Sequence, residues 1–289
     1  MTVLITGAST GIGKAAALYL AQKGWQVLAG VRKAADAEAL RRESLQNLTP
    51  LYLDITDQTQ IKNAAEVVSQ VGDLTGLVNN AGIAIAGPLE FVPLEEIRRQ
   101  FEVNILGHIA VTQAMLPFIR NTRGRIVFVG SIGGRSSLPF FAPYNASKYA
   151  LEAITDAMRV ELRPWKIHVS IVEPGIVETP IWENSLATGA SSLAKLPPDA
   201  HHLYGPAIGW ARRLKHVHGV PPESVAHAIE HALTAKHPRN RYVIGKDAYW
   251  RLALEALPDF LRDWLIARYL PPYGQKIPLL NEEGESRTS

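Results

Sequence analysis

Six short apolar strands, each followed by a further stretch of chain with helical character, alternate along this sequence and constrain its fold more than any other feature. The predicted strands span 2–6, 25–31, 50–53, 76–78, 125–130 and 167–172, with a seventh at Arg241–Ile244. Such alternation gives a parallel sheet, because a helical crossover returns the chain to the same edge of the sheet. The sequence therefore predicts a single α/β domain that is doubly wound: a seven-stranded, mostly parallel sheet with helices on both faces.

The composition is that of a globular protein with a sizeable core. Of the 289 residues, 47% are hydrophobic and 20% are charged, and this length accommodates one large α/β domain. The 30 basic and 27 acidic residues are interspersed, so the net charge of +3 indicates no nucleic-acid partner. The absence of Cys excludes disulfides and thiolate chemistry. Because the first strand starts at Thr2, we expect no signal peptide and a cytoplasmic location.

A glycine-rich turn joins the first strand to the first helix. Gly7, Gly11 and Gly13 have the spacing Gly-x-x-x-Gly-x-Gly, whose first gap is one residue longer than in the usual dinucleotide fingerprint. Glycines here let the backbone approach a pyrophosphate, whose charge then lies at the N-terminus of the helix. The turn therefore favours a dinucleotide cofactor, and the alternative is a tight turn without a ligand.

The end of the second strand bears on which dinucleotide is bound. Twenty residues after Gly11, where a carboxylate would hold the 2′-hydroxyl of the adenosine ribose, the chain has Val31, followed by Arg32 and Lys33. A guanidinium can form a forked pair with a phosphate, so the sequence favours NADP over NAD. The alternative is that Arg32 and Lys33 simply face water at the end of a strand.

Tyr144 and Lys148 lie four residues apart on a helix predicted to run from near Pro143 to Arg163, so their side chains share one face. A phenol has a pKa near 10, and a cation about 5 Å away at an effective dielectric of about 20 favours the phenolate by roughly 3 kcal/mol. That effect would bring the pKa of Tyr144 towards the neutral range useful for a general acid or base. A Tyr beside a Lys on a solvated helix face is the simpler alternative.

Two polar residues accompany this pair. Ser131 ends the fifth predicted strand, and a short loop can fold it back beside Tyr144, where its hydroxyl would hold a substrate oxygen. Asn104 interrupts the apolar run 101–106, so its amide must find hydrogen-bond partners. A turn serine at 131 and a structural bridge at 104 are the alternatives to catalytic roles.

Other polar residues follow the carboxyl ends of predicted strands, where open α/β sheets bind ligands. Asp54 either hydrogen-bonds an adenine edge or caps the next helix. Asn79 and Asn80 follow the fourth strand, and Pro174 follows the sixth. One crevice at this edge can therefore hold the glycine turn together with all of these residues.

Over roughly residues 2–245 the chain resembles the short-chain dehydrogenase/reductase family, whose fold is a Rossmann-type domain. The matching motifs are Thr6-Gly7-Ala8-Ser9-Thr10-Gly11-Ile12-Gly13, Asp54, Asn79-Asn80-Ala81-Gly82, Asn104, Ser131, Tyr144 with Lys148, and Pro174-Gly175 followed by Thr179. The resemblance implies an NAD(P)-dependent oxidoreductase that transfers hydride between the nicotinamide and a carbonyl or secondary-alcohol carbon.

The resemblance also implies a role for each residue. Tyr144 would be the acid/base, and Ser131 would position the carbonyl. Lys148 would bind the nicotinamide ribose and lower the pKa of Tyr144, while Asn104 would hold a water in a proton relay. The residues expected along the cofactor are Gly7, Ser9, Thr10, Gly11, Ile12, Gly13, Arg32, Asp54, Ile55, Asn80, Ala81, Gly82, Tyr144, Lys148, Pro174, Gly175, Val177 and Thr179.

The chain departs from the family pattern at two positions. Val31 stands where NAD-dependent members carry Asp, and Thr10 stands where many NADP-dependent members carry a basic residue. Arg32 is thus nearly alone in favouring NADP, and NAD stays open. Two other functions compete: an NADP-binding regulatory protein without catalysis, against which the intact catalytic set argues, and a sugar-nucleotide epimerase on a related fold. The glycine spacing and the lack of a distinct substrate domain argue against the epimerase.

The C-terminal part of the chain indicates the kind of substrate. In the long connection 181–219 we predict a lid with apolar side chains at Trp182, Leu186, Leu193, Leu196 and Leu203. Residues 247–270 are amphipathic on either side of Pro258, with an apolar stripe at Trp250, Leu254, Leu257, Leu261 and Trp264. This stripe caps the sheet, walls an apolar pocket or contacts a membrane surface. We expect a lipophilic ketone or aldehyde of steroid, retinoid or long-chain type, a catalytic domain over 1–270 and a flexible polar tail over 271–289.

Small residues on the Tyr144 helix bear on assembly. Ala146, Ala150, Ala153 and Ala157 form a stripe on one face, and the family resemblance places this helix and the preceding long one in a subunit contact. We therefore expect a homodimer or homotetramer. The alternative is that the stripe packs within the monomer.

Histidines raise the question of a metal site. His216 and His218 lie close together, and His227 and His231 lie four residues apart on a predicted helix. Metal sites need converging ligands with a second shell, and these residues fall outside the proposed crevice. No metal is predicted.

Overall fold

Seven parallel strands form the centre of the protein. The computed structural model describes residues 1–181, 198–213 and 219–274. The strands are β1 (Thr2–Ile5), β2 (Gln26–Val31), β3 (Leu48–Tyr52), β4 (Gly76–Asn79), β5 (Arg125–Val129), β6 (His168–Pro174) and β7 (Arg241–Ile244). They pair in the order β3-β2-β1-β4-β5-β6-β7, and every pair is parallel. The predicted fold is confirmed, and the sheet that we expected to be mostly parallel is parallel throughout.

Helices connect the strands and cover the sheet. They are α1 (Gly11–Gln22), α2 (Ala34–Arg41), α3 (Gln58–Val71), α4 (Leu94–Phe101), α5 (His108–Thr122), α6 (Ala142–Glu161), α7 (Pro198–Arg213), α8 (Pro222–Thr234), α9 (Lys246–Glu255) and α10 (Asp259–Tyr269). A π-helical segment, Glu102–Gly107, joins α4 to α5. None of the described helices is long and apolar enough to cross a bilayer.

Apolar layers lie on both faces of the sheet. Because alternate residues of a strand point to opposite faces, Val3 of β1 packs in the layer with α1 and α8, whereas Leu4 packs in the layer with α3, α5 and α6. Both side chains are fully buried. Burial on both faces explains why the strands are continuous apolar runs rather than alternating ones.

Most predicted elements have bounds within two residues of those in the structure, and three of the differences have a physical cause or consequence. Helix α2 ends at Arg41 rather than at Gln46, since Ser44 adopts a left-handed φ of 57°. Strand β3 begins two residues before Pro50 and includes it, which is tolerated because β3 lies at an edge of the sheet. The helix predicted over 94–120 is continuous but contains the π-helical segment.

The strand order places a crevice between β1 and β4. From β1 the chain winds outward to β2 and β3, and from β4 it winds outward in the other direction, so the carboxyl ends of β1 and β4 mark the switch point where such sheets bind ligands. Part of the predicted lid is the helix α7. Trp182, Leu186, Leu193 and Leu196, and residues 275–289 of the predicted tail, lie outside the described residues.

Candidate active site

Ser131 and Tyr144 lie side by side at the carboxyl end of β5. Ser131 lies two residues after the end of β5, Tyr144 lies in the first turn of α6, and each is only 7% exposed. A side-chain hydrogen bond joins the two residues. A Cβ on Gly133 would lie 2.8 Å from Asn145 Oδ1, so glycine at this position lets the loop approach α6. The structure thus brings together the two hydroxyls that the sequence analysis paired.

Lys148 follows one helical turn after Tyr144. Its Nζ atom lies 5.8 Å from the centroid of the Tyr144 ring and donates a hydrogen bond to the Val129 oxygen at 2.9 Å. Burial lowers the pKa of Lys148 to about 8, while the carboxyl of Glu152 acts in the opposite direction. At pH 7 the ammonium therefore remains mostly charged.

The Tyr144 phenol is harder to ionise than the sequence predicted. Burial raises its pKa above the ordinary value, and the hydrogen bond with Ser131 and the charge of Arg251 oppose this only in part. We expected Lys148 to lower the pKa of Tyr144 to a value close to neutral. That expectation is wrong for this arrangement, because burial outweighs the favourable charges and the Lys148 ammonium is bonded to Val129. At neutral pH Tyr144 is protonated and can donate its proton.

Asn104 lies in the π-helical segment and is completely buried. Its Oδ1 accepts the Ile83 N–H at 2.9 Å, and its Nδ2 donates to the Ile83 oxygen at 2.9 Å and to Ser147 Oγ at 3.1 Å. The side chain therefore ties the segment after β4 to α6, which is the structural bridge considered above. π-helical segments often occur at functional sites, which agrees with a catalytic residue at this position. The relay role of Asn104 itself stays a prediction.

The glycine turn has the backbone that an anion site needs. Gly7 and Gly11 have left-handed φ values of 65° and 56°. A Cβ on Gly7 would lie 2.7 Å from the Ala81 Cα, and one on Gly13 would overlap the Gly7 carbonyl oxygen. The N-cap residue Thr10 makes no side-chain capping bond, and the first turn of α1 has no acidic residue. The N–H groups of that turn are therefore available to an anion, and the turn fits a pyrophosphate.

Neighbouring residues hold this turn in place. Asn80 Nδ2 donates to the backbone oxygens of Thr6 and Gly7 at 2.9 Å and 3.0 Å. Thr179 lies on the other side, since a Cβ on Gly11 would be 3.1 Å from its side chain. The ends of β1, β4 and β6 therefore meet around one turn, as the predicted crevice requires.

Two charged residues lie just beyond β2 and β3, where we expected the adenosine part of the cofactor. Asp54 Oδ1 accepts hydrogen bonds from the N–H and hydroxyl of Thr56 at 3.0 Å and 2.7 Å, whereas Asp57 is the N-cap of α3. Arg32 is exposed just beyond β2 and makes no hydrogen bond or ion pair with a described residue. Its side chain is therefore available to a phosphate and equally accessible to water.

The other predicted cofactor residues lie at the same edge of the sheet. They are Ser9 and Ile12 at the glycine turn, Ile55 after β3, Ala81 and Gly82 after β4, and Pro174, Gly175 and Val177 at the end of β6.

Three residues near the site were not identified from the sequence. Asp247 of α9 accepts the Ile176 N–H at 2.8 Å and fills the space that a side chain on Gly175 would need. His108 is 1% exposed, with Nε2 2.5 Å from the Ala81 oxygen. Burial, and then the charge of Lys148, lower the pKa of His108 to about 4, so it is neutral. The charge of Arg251 lowers the pKa of Tyr144, against the larger effect of burial. The sequence could have indicated His108, because a histidine within an apolar run is unusual. It contains no signal for the contacts that Asp247 and Arg251 make from α9.

His227 and His231 each have a local partner. The ring of His227 lies 4.7 Å from that of Tyr19, and His231 Nδ1 is 2.9 Å from the Tyr242 hydroxyl. His216 and His218 lie outside the described residues. Within the described ranges, no group of three metal-ligating side chains converges.

Each of the two predicted stripes is exposed only in part. Ala146, Ala153 and Ala157 face solvent, so the alternative of packing within the monomer is wrong for them, whereas Ala150 is partly buried. On α9 and α10, Trp250 is 74% and Trp264 is 57% exposed, while the leucines of that stripe are partly buried. The alternative in which this segment caps the end of the sheet therefore explains the partly buried leucines but not the exposed tryptophans.

Comparisons with known proteins agree with this geometry. Residues 1–189 match the protein family described as short chain dehydrogenase. The chain is 39% identical over 289 residues to retinol dehydrogenase 5 of Mus musculus, covering 95% of this chain and 90% of that protein. It is 38% identical over 287 residues to 17-beta-hydroxysteroid dehydrogenase type 6 of Bos taurus, with 95% and 90% covered. A short-chain dehydrogenase of Burkholderia cenocepacia, solved in complex with NADP, superposes with a TM-score of 0.72 at 28% identity, covering 94% of this chain and 98% of that one.

Proposed function

The chain belongs to the short-chain dehydrogenase family, and we propose that it is a reductase of lipophilic carbonyl compounds in which Tyr144 supplies the proton. The observation that carries this proposal is the buried pair of Ser131 and Tyr144, with the Lys148 ammonium beside them. The glycine turn at the same edge of the sheet fits a dinucleotide, and the protein is an NAD(P)-dependent oxidoreductase.

Each residue of the site has a separate role in the proposed reduction. A bound nicotinamide supplies the hydride that reaches the carbonyl carbon. Ser131 donates a hydrogen bond to the carbonyl oxygen, and the neutral Tyr144 phenol transfers its proton to that oxygen as charge develops there. The Lys148 ammonium stabilises the resulting phenolate. Their burial keeps bulk water away from the reacting oxygen.

NADP is the cofactor that the residues favour. The position at the end of β2 that would hold a ribose hydroxyl through a carboxylate is the buried Val31, and the adjacent Arg32 is exposed and pairs with none of the described residues. A guanidinium in this setting suits the 2′-phosphate. NAD is the second candidate.

An aromatic cluster next to Tyr144 supports a lipophilic substrate. Phe140, just before α6, lies with its ring centroid 6.2 Å from that of Tyr204 on α7 and 5.7 Å from that of Tyr273. Phe91 adds a fourth ring, 5.9 Å from Tyr204. Rings at this position form an apolar wall that fits a steroid, retinoid or long-chain carbonyl better than a sugar, and two relatives are named for retinol and hydroxysteroid oxidation.

A substrate panel tests the proposal. Ketones and aldehydes of steroid, retinoid and alkyl type are each assayed with NADPH and NADH, beside hydrophilic sugars and a nucleotide-sugar. We expect turnover of the lipophilic carbonyls with NADPH. Cofactor binding without turnover of any compound would favour the regulatory protein, and conversion of the nucleotide-sugar would favour the epimerase.

Assembly and location form a second part of the proposal. We propose a homodimer or homotetramer that joins through α6 and the preceding long helix, because Ala146, Ala153 and Ala157 are exposed there and small residues let helices approach closely.

The catalytic domain spans 1–270, followed by a polar tail. We propose a cytoplasmic location, with peripheral membrane contact through the exposed Trp250 and Trp264. Light scattering that gives a monomer near 31.7 kDa, or absence of vesicle flotation, would refute the respective parts.

A further inference from the structure

The edge of the sheet opposite the crevice is basic. Strands β5, β6 and β7 are adjacent and parallel, so their amino ends lie together at this edge. The segments at those ends are 120–125, 163–168 and 236–241, and each carries two or three Lys or Arg residues but no Asp or Glu. The guanidinium of Arg120 lies 4.7 Å from the centroid of the Trp165 ring, so the first two segments are in contact.

A cavity of about 250 Å³ lies at this edge, between the end of α6, the beginning of β6 and the segment before β7. Its lining includes four basic residues and no acidic one; the lining residues are Arg159, Arg163, Lys166, Ile167, His168, Val169, Ser170, Pro238 and Asn240. Pockets for drug-sized ligands are larger, roughly 300–1,000 Å³. The cavity therefore suits a small anionic group.

Most of the positive charge that lines the cavity is not compensated within the protein. Arg163 and Lys166 are exposed, and neither forms an ion pair or a side-chain hydrogen bond with any described residue. Arg159 pairs with Asp156, but Arg241 also binds that carboxylate, at 2.6 Å. One carboxylate thus serves two guanidinium groups, and the lining keeps a positive charge for an anion from solution.

The backbone of Lys166 is a second sign of a functional role. Its φ of 60° and ψ of 28° lie in the left-handed region, where glycine is the usual residue after a helix end. A lysine in this conformation is strained, and such strain concentrates at functional sites. The chain therefore places a cation in the wall of the cavity at a position where a residue without a side chain would fit more easily.

We propose that this cavity binds a phosphate group, as pyrophosphate or a small phosphate ester. Guanidinium groups form forked pairs with phosphate oxygens, and a phosphate monoester carries close to two negative charges at neutral pH, which matches a lining of several cations better than a single carboxylate would. The site lies at the edge of the sheet opposite the glycine turn. It is therefore separate from the cofactor site and goes beyond the proposed reduction.

Calorimetric titration with inorganic pyrophosphate tests the site. The protein is first saturated with NADPH in metal-free buffer, so that the glycine turn is occupied, and wild type should then bind one pyrophosphate per chain. A hydrogen bond to a charged group contributes roughly ten- to a hundredfold in affinity, and solvent exposure reduces this to a few-fold for each cation. Arg163→Gln combined with Lys166→Asn should therefore weaken binding about tenfold. Asparagine is chosen at 166 because it tolerates the left-handed backbone.

A matched control separates the site from general charge attraction. Lys62→Gln combined with Arg268→Gln removes the same charge from exposed positions on α3 and α10 and should bind pyrophosphate as wild type does. Both double variants should keep the wild-type Tm and kcat, since none of these residues belongs to the active site. The proposal would be overturned by absence of saturable binding in wild type, by unchanged binding in the Arg163 and Lys166 variant, or by equal losses in the two double variants. None of these outcomes depends on turnover, so the proposed function is tested separately.

Flotation with vesicles distinguishes a soluble phosphate from a lipid headgroup. Phosphatidylcholine vesicles with and without phosphatidic acid, whose headgroup is a phosphate monoester, are mixed with wild type and with the Arg163 and Lys166 variant. Flotation that requires phosphatidic acid and both cations, and that free pyrophosphate reverses, would identify the ligand as a lipid. Equal flotation of the two proteins, together with the expected titration result, would identify it as a soluble compound.

Discussion

Replacing Glu152 with Gln should remove a pH-dependent penalty on folding. Glu152 lies on α6 one turn after Lys148 and is 7% exposed, next to the fully buried Glu173 of β6. Arg241 Nε lies 3.0 Å from Glu152 and 3.2 Å from Glu173. Burial, and then the charge of Glu173, raise the pKa of Glu152 from 4.5 to about 7, against the opposing effect of Arg241.

The sign and the size follow from this pKa. The folded state holds the proton to higher pH than the unfolded state does, so Glu152 contributes stability that is fully present below about pH 4.5 and lost as the pH rises through about 7. A change from 4.5 to about 7 corresponds to about 3 kcal/mol, which partial solvent screening reduces to about 2 kcal/mol. For a domain of this length such a change shifts Tm by roughly 4–8 °C.

Thermal unfolding of wild type and Glu152→Gln between about pH 4 and 8.5 measures the effect. We expect nearly equal Tm values at about pH 4 and a variant that is more stable by roughly 4–8 °C at about pH 8.5. Glu161→Gln, the same change at the exposed end of α6, serves as the control and should track wild type. The reasoning would be refuted if the Tm values of wild type and Glu152→Gln changed in parallel with pH. It would also be refuted if wild type became more stable relative to the variant as the pH rises.

Three further predictions concern the reaction. Tyr144→Phe should keep the fold and NADP binding but lose roughly a hundredfold or more in kcat, because only the proton donor is removed; turnover within about tenfold of wild type would contradict this role. Arg32→Ala should raise the KM for NADPH and leave that for NADH nearly unchanged, and equal effects on both would show that Arg32 does not meet the 2′-phosphate. In a homologous series of ketones, kcat/KM should rise about fourfold per added methylene until the pocket is full, and a flat response would exclude an apolar substrate pocket.

The fold was predictable because its signals are local. Each strand is an apolar run that both faces of the sheet bury, so its pattern survives in the sequence even at β7, whose bounds were predicted correctly. The end of α2 was not predictable from helix-forming residues alone, since it depends on the left-handed backbone at Ser44. The π-helical segment around Asn104 likewise has no local sequence signal.

The site was predictable where residues follow strand ends and unpredictable where distant helices enter it. The glycine turn, Asn80 and Ser131 each follow a strand whose carboxyl end is fixed by the sheet. Asp247 and Arg251 reach the crevice from α9 through contacts 71 and 115 residues apart in the chain. No spacing rule relates such positions, so their roles became visible only in the structure.

The pKa of Tyr144 cannot be predicted from the neighbouring charge of Lys148 alone, because burial also acts on it. The sequence revealed the Lys148 cation, worth roughly 3 kcal/mol in favour of the phenolate, but not the burial that opposes it. In the structure burial is the largest cause and the pKa rises. Since a protonated phenol can give a proton and an ionised one can accept it, this balance favours reduction of a carbonyl at neutral pH.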